Sequence, residues 1–102
     1  MKTNLQESRE MFISLKFNNT VRRLAGYPYG KAVFNEQVRD SIDYNCTVYI
    51  DFPEQIIRVA SSFVQGFFEE IIQNVGFLGI GKRVVIRSPH RDIVDSIMKN
   101  LM

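Results

Sequence analysis

The stretch that most constrains this chain runs from Cys46 to Val75, C-T-V-Y-I-D-F-P-E-Q-I-I-R-V-A-S-S-F-V-Q-G-F-F-E-E-I-I-Q-N-V. Cys46 to Ile50 is apolar at nearly every position except Thr47, the pattern of a central strand covered on both faces. Asp51 closes that strand and opens a connecting loop, and a helix then begins at Ser61-Ser62-Phe63. Its apolar residues recur as Phe63, Phe67 and Ile71, and again as Val64, Phe68, Ile72 and Val75. This double stripe at i, i+4 is wide enough to lie on a sheet. The remaining side, Gln65, Gly66, Glu69, Glu70 and Gln73, is mostly polar.

The flanking segments extend this unit into an α/β chain. Residues 1–10 are polar and aperiodic, a lead-in, and residues 11–102 form the domain. Ile13, Leu15 and Phe17 alternate with Phe12, Ser14 and Lys16, which predicts a half-buried strand. Asn18-Asn19 suits a tight turn, after which Thr20 to Leu24 either returns as a hairpin partner or leaves as a loop. Ala25 to Gly30, punctuated by glycines and Pro28, reads as a loop. Phe34, Val38 and Ile42 then stand at helical spacing. Beyond the long helix, Gly76 to Gly81 turns the chain back and Val84-Val85-Ile86 is another buried strand. Ser88-Pro89 offers a hydroxyl at N-cap and a proline at the first helical position. The last helix carries Ile93, Val94, Ile97, Met98 and Leu101 on one face. Right-handed crossovers make the later strands parallel, with helices packed on the sheet.

Composition narrows the function classes. At 102 residues the chain is one domain with a single core, and its net charge of +2 gives no massed basic face for nucleic acid. The scattered Arg22-Arg23, Lys31, Arg58 and Lys82-Arg83 read as solvated charges. One cysteine excludes an internal disulfide and a zinc site built on paired cysteines. No apolar run approaches the roughly 18 residues of a membrane helix, and the N-terminus lacks the apolar core of a signal peptide, so a cytoplasmic location is expected.

Gly76-Phe77-Leu78-Gly79-Ile80-Gly81-Lys82 matches the spacing of a phosphate-binding loop, but the following residue is Arg83, which cannot ligate Mg²⁺ as a Ser or Thr does. The motif also leaves a helix and enters a strand, so no helix N-terminus faces a phosphate. His90 is the sole histidine and stands apart in sequence from any acidic pair, and Cys46 reads as a small core hydrophobe. No catalytic constellation, metal set or cofactor motif emerges.

The candidate site is the strand–loop–helix junction. Ser62-Phe63-Val64-Gln65 fits the capping box S-x-x-Q, which makes Ser62 the helix cap. Ser61 then has no structural task, and a phosphate on it would meet the positive end of the helix dipole. Asp51 lies at the carboxyl edge of the central strand, where open α/β sheets place their sites, and could equally be a turn residue. Asp51, Ser61, Ser62 and Gln65 are the expected contacts for a partner or ligand.

The motifs V-Y-I-D-F (Val48 to Phe52), A-S-S-F (Ala60 to Phe63) and G-K-x-x-F (Gly30 to Phe34) resemble those of bacterial STAS-like domains, relatives of the sulfate-transporter and anti-sigma-factor-antagonist family. The resemblance covers about Phe12 to the end. It implies a single-domain STAS-like sandwich with a four- or five-stranded mixed sheet and about three helices. It also implies a non-enzymatic regulatory domain, a partner-switching protein whose helix-opening serine, here Ser61, is phosphorylated by a histidine-kinase-like ATPase partner. Where the family pattern has an acidic residue before the serines and a glycine after them, this chain has Ala60 and Phe63. The alternative is a sensor that binds a nucleotide or other small anionic ligand at the same loop and helix N-terminus.

Overall fold

The computed structural model describes residues 9–101. The elements run β1 (Glu10–Ser14), β2 (Arg23–Leu24), α1 (Tyr27–Gln37), β3 (Thr47–Asp51), β4 (Arg58–Val59), α2 (Ser61–Gly79), β5 (Val84–Arg87) and α3 (Arg91–Leu101). The chain is α/β, with the expected helices. The strands differ from the expected single mixed sheet of four or five. β1, β3 and β5 form a three-stranded sheet in that order, β2 and β4 form a separate two-stranded ribbon, and every pairing is parallel.

The lead-in of residues 1–10 falls mostly outside the described residues; Glu10, its last residue, already belongs to β1. The hairpin option for Thr20 to Leu24 is corrected. Asn18 does form a turn, its side-chain oxygen accepting from the Thr20 N–H at 3.0 Å and its carbonyl from the Val21 N–H at 2.9 Å. The chain then bypasses β1, and Arg23–Leu24 lies beside Arg58–Val59. Two side-chain bonds hold this arrangement: the Gln55 amide donates to the carbonyls of Asn18 and Val21 at 2.7 and 2.8 Å.

α1 opens at Tyr27, earlier than the Ala25–Gly30 loop reading allowed, because Pro28 sits in its first turn, where a missing N–H is tolerated. It also ends earlier, at Gln37, though Val38 and Ile42 still pack on the core through a turn that follows. Gly30 and Gly66 are the reason α1 and α2 pack so closely. A Cβ at Gly30 would overlap the Phe63 carbonyl oxygen, and one at Gly66 would overlap the Tyr27 carbonyl oxygen. Gly66, placed by spacing on the polar side of its helix, is therefore buried in the seam. The double stripe on α2 behaves as expected: Phe63, Val64, Phe67, Phe68 and Ile71 are all fully buried. Phe67 stands at the centre, within 6.2 Å of the ring centroids of Phe34, Phe52, Phe63 and Phe68.

Gly76 has a positive φ of 73° and breaks α2 near its end, as a helix-terminating glycine should, but one further turn follows before Ile80. Gly76 to Lys82 connects a helix to a strand, the inverted context that disfavours a phosphate loop. The start of α3 also shifts. Ser88 is not its N-cap; its hydroxyl accepts from the His90 N–H at 3.0 Å in a turn, and the helix begins at Arg91.

Strand order β1-β3-β5 with right-handed crossovers puts α1 and α2 on the same face of the sheet. That face carries Ile13, Val48, Ile50, Val84 and Ile86, all buried in one core with the helices. Among the described residues the central strand is thus covered by helices on one face, not on both as expected. No described helix covers the other face, which bears Phe12, Tyr49 and Arg87. Phe12 stacks on Tyr49 with ring centroids 4.7 Å apart, and the Arg87 guanidinium lies 5.2 and 5.0 Å from the two rings. Cys46, expected within this strand's core, sits just before it and is half-buried, where desolvation and the nearby Asp43 push its thiol up.

Candidate functional site

The carboxyl edge of the main sheet is built by the last residues of β3 and β5. Asp51 and Arg87 are register partners, and their side chains form a bidentate ion pair, Nε to Oδ1 at 2.6 Å and Nη2 to Oδ2 at 3.0 Å. The pairing with Asp51 pushes the Arg87 guanidinium further up, so it stays charged. Held this way, Asp51 pins the end of the sheet rather than offering a free carboxylate. It lines a shallow recess of about 320 Å³ with Pro53, Glu54, Arg87 and Ser88. Nearby, the His90 ring Nε2 is 2.7 Å from the Glu54 carbonyl, which holds the lone imidazole to the backbone.

The other candidates lie at the opening of α2. Its N-cap is Ala60, extended at φ −78°, ψ 154°, and no side chain caps the helix. The capping-box reading of Ser62 is corrected here. A capping hydroxyl must come from the extended residue before the helix, and Ser62 is already inside it. Its hydroxyl instead accepts from the Gly26 N–H at 2.9 Å, tying the start of α1 to the start of α2. Gly26 reaches that bond with φ 101°, a conformation that favours glycine.

Ser61 is exposed at the first position of α2, and its hydroxyl makes no hydrogen bond among the described residues. Gln65 lies one turn further on, also exposed, and Glu69 and Gln73 continue the row. Beside this row runs an open groove of about 550 Å³, with Val64, Ile72, Phe77 and Leu101 among its apolar lining and Gln65, Glu69, Gln73 and Tyr27 among its polar. The Tyr27 hydroxyl donates to the Glu69 carboxylate, a bond that pushes the phenol up, and Lys31 Nζ is 3.7 Å from the same carboxylate. These contacts fix the groove's wall.

Ser61, Ser62 and Gln65 are therefore together at the opening of α2, and of the three Gln65 lines the groove. Asp51 is not in contact with them: it belongs to the Arg87 pair at the sheet edge. Tyr27 and Glu69 were not read from the sequence as site residues, because Y-P-Y-G looked like loop and Glu69 like one more residue on the polar side of the long helix. The Asp51–Arg87 pair had a legible signal, opposite charges closing two neighbouring strands. Among the described residues no cluster of His, Cys, Asp and Glu could hold a metal ion, and no helix is long and apolar enough to cross a membrane. Comparison of the chain with protein-family models, curated proteins and solved structures gives no significant match.

Proposed function

We propose that this chain is a non-enzymatic, STAS-like regulatory domain that docks a protein partner along the exposed row of α2 headed by Ser61. The observation that carries the reading is the division of labour between adjacent serines. Ser62 is committed to the Gly26 N–H, whereas Ser61 is exposed and unbonded among the described residues, one helical turn before Gln65, which lines an open, largely apolar groove. Such a groove suits a partner's apolar side chains, with the polar row of Gln65 and Gln73 beside it. The fixed states of Asp51 and His90, each held by a partner within the fold, support a binding role over acid–base chemistry.

A phosphate on Ser61 would be tolerated by the domain, since negative charge is favourable in the first turn of a helix. It would oppose a partner seated over the same residue by charge and desolvation. The partner class implied by the family resemblance is a histidine-kinase-like ATPase, and the reading places both its kinase action and its release at Ser61. The test is a pull-down from the native cell with mass spectrometry of the Ser61 peptide, followed by affinity measurement of the captured partner. Ser61→Glu is expected to weaken that binding by about 1–3 kcal/mol. Unchanged affinity would sink the switch.

A second reading has one observation in its favour: the backbone N–H groups of Ser61 and Ser62 have no acceptor among the described residues. A small anion or nucleotide phosphate could take them. A saturable rise in melting temperature with ATP, GTP or sulfate would favour that reading, and its absence the protein partner.

A further inference from the structure

Among the described residues, the outer edge of β1 is an unfinished sheet edge. Within the sheet, β1 uses alternate residues to bond β3: the Arg9 carbonyl accepts from the Thr47 N–H at 2.8 Å and the Leu15 N–H donates to the Asp51 carbonyl at 2.9 Å. In a parallel pair the residues between them aim both backbone groups the other way. Those residues are Glu10, Phe12 and Ser14, and among the described residues no strand lies on that side. The next in the series, Lys16, shows what the fold does with such groups when it closes an edge. The Gln37 side-chain amide accepts from its N–H at 2.8 Å and donates to its carbonyl at 2.7 Å, as a neighbouring strand would. Among the described residues the edge is thus sealed at Lys16 and open from Glu10 to Ser14.

What stands on the open part is unlike the usual protection of an edge by lysine, proline or a bulge. Its centre is Phe12, 55% exposed and stacked on Tyr49. The geometry points to a second copy of this chain as the occupant, pairing β1 with β1 antiparallel about a two-fold axis through Phe12. In that register Phe12 faces Phe12, Glu10 faces Ser14, and all the outward backbone groups of Glu10, Phe12 and Ser14 bond across the axis. Met11 faces Ile13 on the helix-covered side, so the core side of the joint is apolar too.

Charge favours the same register. Glu10 meets no like charge directly, since Ser14 stands opposite, and the other copy's Lys16 is its diagonal neighbour on the uncovered face, within reach of long side chains. The two-fold repeats the Glu10–Lys16 pair on the other side. The outcome is a continuous six-stranded sheet whose open face carries one aromatic row, Tyr49–Phe12–Phe12–Tyr49, flanked by the two Arg87 guanidiniums. This pairing is independent of the groove on α2, which lies on the helical side.

Sedimentation equilibrium over a concentration series tests it, with circular dichroism and thermal melting to verify folding. The unaltered chain is expected to dimerise below about 1 mM. Ser14→Pro removes an outward N–H while sparing the β1–β3 bonds, which Ile13 and Leu15 make, and is expected to abolish the dimer. Glu10→Lys should weaken it about tenfold, and the swap Glu10→Lys with Lys16→Glu should return affinity to within about threefold of the unaltered chain. A chain that stays monomeric throughout overturns the proposal. So does a dimer indifferent to the charge reversal, which needs no proline and no loss of fold to be read.

Discussion

The two sides of α2 have been solved in opposite ways. On one side, Gly66 gives up its side chain so that the backbone of α1 comes into contact, and Phe67 fills the middle of a phenylalanine cluster. Nothing there can be added without overlap. On the other, Ser61, Gln65 and Gln73 stand exposed beside a groove with room for a partner's side chains. One helix thus carries both a seam with no spare room and an open groove. Burial on the first side supplies the rigidity that lets the second hold an unfilled shape.

This contrast can be broken from the sealed side first. Phe67→Ala should cost about 3–5 kcal/mol in a denaturant titration, since it opens a cavity among neighbours that cannot all collapse into it. A cost below about 1 kcal/mol would mean the phenyl cluster is not the centre of the core. Gly66→Ala adds a single methyl and should still destabilise by about 1–3 kcal/mol, because the atom it meets is the Tyr27 carbonyl oxygen and not a flexible side chain. On an ordinary helix the same change would stabilise, so the sign alone decides whether the seam is as close as described.

The smallest effects sharpen the boundary between the sides. Ser62→Ala leaves the half-buried Gly26 N–H without its acceptor and should cost about 1 kcal/mol. Ser61→Ala, next to it, should lie within about 0.5 kcal/mol of the unaltered chain. Equal values for the two, read by thermal melting under identical conditions, would erase the distinction between the structural and the available serine.

The long helix was legible because nineteen residues of α2 give an apolar stripe several turns in which to repeat. The ribbon of β2 and β4 was not, since a strand such as Arg23–Leu24 is too short to show any period. Gly66 misled for a related reason: a residue without a side chain has position but no hydropathy, so spacing alone assigned it to the polar side. Tyr49 reads as a covered residue because an aromatic ring on a strand has the same letter whether a helix or solvent lies above it. At the candidate site, Ser61 and the opening of α2 were readable, as was the polar row. The fate of Ser62 was not, because its partner Gly26 is distant in sequence and reached by a backbone bond that leaves no trace in composition.

The all-parallel pairing has a consequence for how the chain reaches this state. No strand here meets its neighbour through a hairpin; Glu10 pairs with Thr47, Arg23 with Arg58 and Val48 with Val84, each across an intervening helix. Every ladder must therefore close a long loop before it gains a single bond. Refolding should be slower than that of a helical bundle of equal length, with the docking of α1 on α2 as the step that brings the strands within reach.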